Sequence, residues 1–305
     1  MISIVIPLYN KEPYVLETLQ SVVNQTFQSF EVIVVDDGST DNSVAVAKKI
    51  NDPRICIIER ENEGVSVARN VGIEHARFDW VAFLDADDWW ASNFLEAFVK
   101  ALNDFPEEKI FAGGRSRVFK NETERYAHPY LPKDGSVGKV NYFQVISKYL
   151  PPINSSNVVM AKSLLKEHRF RPGMKQHEDH DLWIRICAQH EVVFINEPLS
   201  FYRKDLQNSG SASGFSFTDF LNYLKDIKTV SEILSSEEKN FFKRYYNRFV
   251  PIRYFQSYYQ YSETQRKEFY TYCKGLLSKK SICIVRGLNI FSFVNVYSIF
   301  KKLKG

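Results

Sequence analysis

The stretch Phe83-Leu84-Asp85-Ala86-Asp87-Asp88 begins apolar and ends in three carboxylates. With Val81 and Ala82 before it, the apolar part has the pattern of a short strand buried on both faces, as in parallel sheets. Asp85 and Asp87 fall two residues apart where that strand ends. In an open α/β sheet, ligands bind at the carboxyl ends of the strands. Two carboxylates at this spacing can share one hard divalent cation with the phosphates of a nucleotide. A competing explanation is that Asp87 or Asp88 caps a helix beginning near Trp89. Capping accounts for one aspartate and leaves two unexplained.

Similar apolar runs lie upstream at residues 2–7, 31–35 and 55–59, and the run at 80–84 is the fourth. The segments between them, 13–25, 42–50 and 65–77, repeat apolar residues at helical spacing. In the first, Val15, Leu19, Val22 and Val23 line one face; in the third, Val67, Val71 and His75 or Ala76 do so. Strands alternating with helices of this length predict βαβ units, right-handed crossovers and a parallel sheet, an α/β fold.

Each strand runs into something polar. The first leads to Pro7-Leu8-Tyr9-Asn10 and the second to Asp36-Asp37-Gly38-Ser39-Thr40-Asp41, so these ends share one rim with the Asp85–Asp88 cluster. On that rim Asp37 can accept the N–H of a pyrimidine, and Tyr9 offers a ring face for stacking. Ser39, Thr40 and Asp41 read better as a turn and cap for the helix that follows. Arg69, on the helix after the third strand, either contacts a nucleotide or lies on a solvated helix face.

The whole chain has 305 residues, enough for one large domain or two smaller ones. Its 44% hydrophobic and 25% charged content is that of a folded soluble protein. Cys56, Cys187, Cys273 and Cys283 have no paired spacing, which argues against zinc or a disulfide framework. Three of them lie in apolar runs, the expectation being buried thiols in a reducing compartment. No signal peptide is expected from residues 1–7, and no stretch approaches the roughly 18 apolar residues that span a bilayer. The expected location is cytoplasmic.

Charge is unevenly sorted. Residues 1–214 carry 24 Lys/Arg against 29 Asp/Glu, and residues 215–305 carry 16 against 7. The small polar segment 208–214 has the composition of a linker, dividing a body at 1–214 from a basic helical region at 215–305. That region predicts helices at 217–234, 237–259 and 263–277, rich in tyrosine and phenylalanine, then a broken apolar segment at 282–300 and Lys301-Lys302-Leu303-Lys304. Such a tail suits an interfacial helix on an anionic leaflet, or packs on the body with only its lysines exposed. It has no recognisable nucleic-acid-binding motif, so nucleic acid is not expected as a partner.

Five segments together resemble the family 2 glycosyltransferases: 5–10, 35–41, 62–70, 83–88 and Glu178-Asp179-His180-Asp181-Leu182-Trp183, covering roughly residues 1–205. The resemblance implies the GT-A fold, a Rossmann-like, mostly parallel sheet flanked by helices, here with an α-helical C-terminal extension. It further implies an activated sugar nucleotide, UDP favoured, and inversion at the anomeric carbon. Pro7, Tyr9 and Asp37 would then line the base and ribose, with Arg69 near the nucleotide. Asp85, Ala86 and Asp87 would contact the nucleotide sugar, and Asp85 and Asp87 would bind the Mn²⁺ or Mg²⁺ that bridges the diphosphate. No glycine-rich phosphate loop is present to share that task.

An inverting displacement needs a base for the acceptor hydroxyl. The resemblance gives that role to Asp179, with Glu178 supporting the site. Both precede the helical run 182–187, which places them in a first turn where the helix dipole favours carboxylates. Asp181 is spaced to pair with Arg185. His177 and His180 lie within reach of donor or acceptor. Trp183 either stacks on an acceptor sugar or belongs to the core. After the last strand many relatives carry a Tyr-Arg-x-His segment; here Tyr202-Arg203-Lys204-Asp205 lacks the histidine, leaving Arg203 or Lys204 to supply charge and 208–214 to close as a lid.

The expected function is therefore a metal-dependent hexosyltransferase-type enzyme acting on a glycan or lipid-linked acceptor. The setting is bacterial surface polysaccharide assembly at the inner face of the cytoplasmic membrane. The rivals are a nucleotidyltransferase on a related sheet and a non-catalytic nucleotide-sugar-binding protein. The first lacks the Lys- and Gly-rich triphosphate loop it needs; intact Asp85, Asp87 and Asp179 argue against the second.

Overall fold

The computed structural model describes residues 1–174, 176–204 and 216–290. Two compact units divide the chain, residues 1–210 and 211–305. The strands of the first are β1 (Ile2–Leu8), β2 (Phe30–Asp37), β3 (Ile55–Arg60), β4 (Trp80–Phe83), β5 (Trp89–Trp90), β6 (Ile110–Val118), β7 (Thr123–Arg125), β8 (Val137–Val140), β9 (Val158–Ala161) and β10 (Val192–Arg203). Its helices are α1 (Val15–Val23), α2 (Ser43–Ala47), α3 (Val65–His75), α4 (Phe94–Asp104), α5 (Tyr142–Ile146), α6 (Lys162–Glu167) and α7 (Glu178–Cys187).

All ten strands join one sheet in the order β3-β2-β1-β4-β9-β6-β10-β5, with β7 beside β6 and β8 beside β10. The β3-β2-β1-β4 half is parallel throughout, as the strand–helix alternation predicts. Beyond it the sheet is mixed: β9 lies antiparallel between β4 and β6, while β6 and β10 run parallel. Every residue of β2 is buried, which accounts for the unbroken apolar stretch Val32–Val35 at its centre, with the buried acids Glu31, Asp36 and Asp37 at its ends. Val15, Leu19 and Val22 of α1 pack with Phe94 and Phe98 of α4 on one sheet face, against Ile4, Ile6, Val32 and Val34. Each such side chain contributes about 1.5–3 kcal/mol of burial.

Three expectations change. The buried face of α3 consists of Ser66, Ala68, Arg69, Gly72 and Ile73; of the residues expected there, Val67, Val71 and His75 are not buried, and Ala76, just past the helix end, is. The helix lies so close to β1 that a Cβ on Gly72 would stand 2.2 Å from Val5 Cγ1, and small residues rather than valines make that approach. Cys56 is exposed because β3 ends the sheet, and Cys283 is exposed as well; Cys187 and Cys273 are buried. No helix begins at Trp89: that residue opens β5, which pairs with β10. The helix-capping account of Asp87 and Asp88 therefore falls away.

The second unit is helical, with α8 (Phe217–Ile233), α9 (Ser236–Ser257), a 3-10 turn at Tyr258–Gln260, α10 (Glu263–Lys274) and α11 (Lys279–Ile290). Ser235 with Glu238 and Ser262 with Gln265 form reciprocal capping boxes that start α9 and α10. Its aromatic residues make its own interior. Tyr254 stacks on Phe269 at 4.3 Å, and the Tyr223 and Tyr245 hydroxyls meet at 2.7 Å. Among the described residues no helix is long and apolar enough to cross a membrane. The apolar segment from 291, its terminal lysines and the lid expected at 208–214 lie outside the described residues.

Candidate active site

The rim at the carboxyl ends of β1, β2 and β4 gathers the residues that the sequence singles out. Tyr9, just past β1, is 46% exposed, and Pro7 is half-buried. Asn10 takes a left-handed φ of 51° and links two loops, its backbone N–H donating to Ser39 and its side chain accepting from the Thr40 N–H. Asp41 accepts from the Ser43 and Glu12 N–H groups, a turn role, whereas the N-cap position of α2 is Asn42 rather than Thr40 or Asp41. Asp37 is buried. Its two carboxylate oxygens accept from the backbone N–H groups of Glu63 and Gly64 at 3.0 and 2.8 Å, which fixes the start of α3 against β2.

The aspartates after β4 have three different environments. Asp87 is paired with Lys11 from the loop after β1. Asp85 accepts from Arg69 Nη2 at 2.8 Å, and its backbone N–H donates to Ser156 Oγ. Asp88 is buried and accepts from the Ser156 hydroxyl at 2.6 Å and the Arg203 N–H at 3.0 Å. Burial, reinforced by the charges of Asp87 and Asp85, pushes its carboxyl well above the usual range. Asp88 thus ties the turn to β10, while Asp85 and Asp87 each pair with one basic residue, Arg69 and Lys11. Ala86, between them, is buried, its carbonyl accepting from Thr18.

Helix α7 faces this pair. His177 adopts φ 59° and turns the chain so that Glu178 and Asp179 fall in the first helical turn. Arg69 Nη1 donates to Glu178 Oε1 at 2.7 Å, so one guanidinium joins Glu178 to Asp85. Arg69 is 3% exposed, and the solvated-face alternative is excluded. Burial raises the pKa of Asp179 above the usual aspartate value, against the opposing pull of Arg69. Asp181 pairs with Arg185 at 2.7 Å as its spacing predicts. Trp183 is fully buried against Phe83 and Phe170, so its ring cannot stack on an acceptor sugar. Arg203 pairs with Glu17 and lies over the Trp89 ring.

Asp85, Asp179 and His180 open onto a cleft of about 410 Å³ whose far wall carries Arg115, Tyr126 and Lys204. The chain therefore places a carboxylate pair, a raised-pKa aspartate and a roomy cleft side by side on the rim of an α/β sheet. A sequence profile described as Glycosyl transferase family 2 matches residues 3–168. The chain belongs to this family.

An uncharacterized glycosyltransferase of Rickettsia conorii is 34% identical over 206 residues, 66% of this chain and 32% of that protein. The match thus spans about a third of that relative's length. WfaP of Escherichia coli, named as a UDP-Glc:alpha-D-GlcNAc-diphosphoundecaprenol beta-1,3-glucosyltransferase, is 28% identical over 75% of this chain and 86% of its own. The crystal structure of Staphylococcus aureus TarS 1–349 in complex with UDP-GlcNAc superposes with a TM-score of 0.76, at 17% identity, covering 99% of this chain and 91% of that one. That likeness shows the GT-A fold.

Two features of this family 2 glycosyltransferase escaped the sequence. Lys11 and Ser156 hold Asp87, Asp85 and Asp88 from distant loops, and nothing local marks them. The cleft wall on β6 was legible in part: Arg115 and Arg117 are two apart on a strand, the spacing that puts both on one face.

Proposed function

We propose that this family 2 glycosyltransferase transfers a sugar from UDP to a hydroxyl of a glycan or lipid-linked acceptor, with inversion, during assembly of surface polysaccharide. The observation that carries the reading is the position of Asp179, in the first turn of α7, beside Asp85 and facing the cleft. A base there accepts the acceptor hydroxyl's proton as that oxygen bonds to the anomeric carbon from the face opposite the diphosphate. The bond to the diphosphate breaks, and its electrons leave with the nucleotide. Glu178, held by Arg69, sets the helix turn that carries the base. Tyr9 stacks on the base of the nucleotide, and Asp37, Pro7 and Ala86 shape the pocket floor.

The residues present fit a divalent cation. Asp85 and Asp87, two residues apart after β4, would supply hard oxygen ligands, and among the described residues no group of three or more acids, histidines or cysteines completes a cage. Mn²⁺ and Mg²⁺ often take one or two carboxylates and fill the remaining positions with phosphate oxygens and water. Bound there, the ion would neutralise charge on the departing diphosphate. TarS supports the donor class through its bound UDP-GlcNAc, and WfaP the acceptor class through its name. The basic residues of 215–305 support peripheral contact with an anionic membrane face.

Calorimetric titration of UDP, GDP and TDP, with and without Mn²⁺, tests the reading. Manganese-dependent UDP binding that is lost in Asp87→Asn is the expected result. Absence of nucleotide binding under every condition overturns it.

A further inference from the structure

The cleft beside Asp179 carries one buried positive charge that makes no direct ion pair among the described residues. Arg115, on β6, is 6% exposed. Its Nη1 and Nη2 donate to the backbone carbonyls of Pro152 and Pro151 at 3.1 and 2.7 Å, and its guanidinium lies 4.0 Å from the centre of the Tyr126 ring. Among the described residues no carboxylate pairs with it, although buried charges are ordinarily paired. Burial, reinforced by Arg117, holds its pKa below the usual arginine value, against the opposing pull of Tyr126 and of the Asp179 carboxylate. The other arginines of this wall are paired: Arg117 with Glu124 at 2.7 Å, and Arg125 with Asp134. Those partners are surface acids, and such pairs contribute about 0–1 kcal/mol. Both arginines can therefore turn to a stronger anion at small cost. Burial and the neighbouring Arg115 push His128 down to about 4, so it faces the cleft neutral.

The nucleotide side of the site is the rim of β1, β2 and β4, whereas β6 lies beyond β9 in the sheet. Arg115 accordingly belongs to the acceptor side. We infer that this cleft is an acceptor subsite for a phosphoryl group, in which Arg115, assisted by Arg117 and Arg125, holds a phosphate or phosphodiester of the acceptor while Asp179 faces the hydroxyl that is glycosylated. The carbonyls of Pro151 and Pro152 and the Tyr126 ring fix the guanidinium in place. The site thus needs little reorganisation to receive an anion with several oxygens, the geometry that arginine forks match. Tyr149, stacked on His128 at 4.5 Å, adds an aromatic wall for the saccharide or lipid part. The inference rests on reading this cleft as the acceptor side of a glycosyltransferase, and its test is separable from that reading.

The full chain, loaded with UDP and Mn²⁺, is titrated with three probes. The first is N-acetylglucosamine linked through a diphosphate to an octyl chain, the second the uncharged octyl glycoside of the same sugar, and the third a glycerol phosphate hexamer. At least one phosphorylated probe is expected to bind ten-fold or more tightly than the glycoside. Which of the two does so tells a lipid-linked diphosphate from a phosphodiester chain. The excess should vanish in Arg115→Gln, persist in part in Arg115→Lys, and fall several-fold in Arg117→Gln, with UDP affinity unchanged throughout. Equal binding of all three probes to the unsubstituted protein overturns the inference without needing any variant to fold. Retention of the full excess in a folded, UDP-binding Arg115→Gln overturns it as well. Failure of UDP itself to bind would instead reject the donor reading.

Discussion

Asp85 and Glu178 are held by the two arms of one guanidinium, Arg69 reaching the first at 2.8 Å and the second at 2.7 Å. Burial disfavours the Arg69 charge, but the two carboxylates more than offset that, and its pKa is raised. The pairing couples the strand end that carries Asp85 and Asp87 to the helix that carries Asp179. Removal of the arginine strands two acids around a buried gap. Arg69→Gln is expected to destabilise the protein by roughly 2–4 kcal/mol, less than a fully buried pair because the Asp85 side chain is 32% exposed. Arg69→Lys should restore little, since a single ammonium cannot reproduce the fork. Chemical denaturation of the three proteins measures both effects.

The same arginine pulls the Asp179 pKa down while burial raises it, and burial wins. A general base works only when ionised, so transfer falls as pH drops through this raised value. The acid limb of kcat/KM is therefore expected above the ordinary aspartate range. Arg69→Gln removes the lowering influence and should move that limb to still higher pH. Asp179→Asn should cut transfer by about 10²–10⁴ with UDP affinity within a factor of two. Transfer at an undiminished rate in Asp179→Asn would reject the assignment of the base.

What the sequence could disclose follows from how local each feature is. Strands β1, β2 and β4 announce themselves because nearly all of their residues are buried and their runs are mostly apolar, whereas β3, at the sheet edge, keeps the apolar pattern while partly exposed. The antiparallel insertion of β9 between β4 and β6 depends on pairing across distant segments, such as Val81 with Met160, and no local pattern encodes it. The partnership of Arg69 with Glu178 is equally non-local, so the sequence leaves open whether the arginine contacts a nucleotide or lies on a solvated face, although it is buried. Helix α3 misleads for a different reason: its buried face includes Ser66, Ala68 and Gly72, which hydrophobic periodicity ignores, and Gly72 is the residue that meets Val5 of β1. Trp183 lies between Leu182 and Ile184 in a helical apolar run, and the core reading of that run is the one the structure supports.

Asp88 is the acid of the cluster set aside for structure. Its pKa is raised well above the usual value, and both of its oxygens already accept protein donors. Asparagine is nearly isosteric with the neutral acid. Its Oδ1 can accept from the Arg203 N–H while its amide donates to the Ser156 hydroxyl. Asp88→Asn should shift stability by less than about 1 kcal/mol, whereas Asp88→Ala should cost about 1–3 kcal/mol by leaving those groups unsatisfied. Thermal melts of both variants decide the point, and equal losses would show that the charge itself is required.

Gly72 sets how close α3 comes to β1, and through α3 where Arg69 stands. An alanine methyl there would collide with both Cγ atoms of Val5, at 2.2 and 3.0 Å. Val5 belongs to a fully paired central strand, so the helix rather than the strand has to move. Gly72→Ala is expected to cost about 1–3 kcal/mol through overpacking, despite alanine's better helix propensity. Val5→Ala on its own should also destabilise, by loss of a buried side chain. The double substitution should be more stable than the sum of the two losses by at least about 1 kcal/mol, because the clash is gone. If the helix shift also displaces Arg69, the single variant Gly72→Ala will show the elevated acid limb expected of Arg69→Gln, and the double variant will lose it. Additive stabilities, with no change in the pH profile, would mean that the Gly72–Val5 contact does not position the arginine.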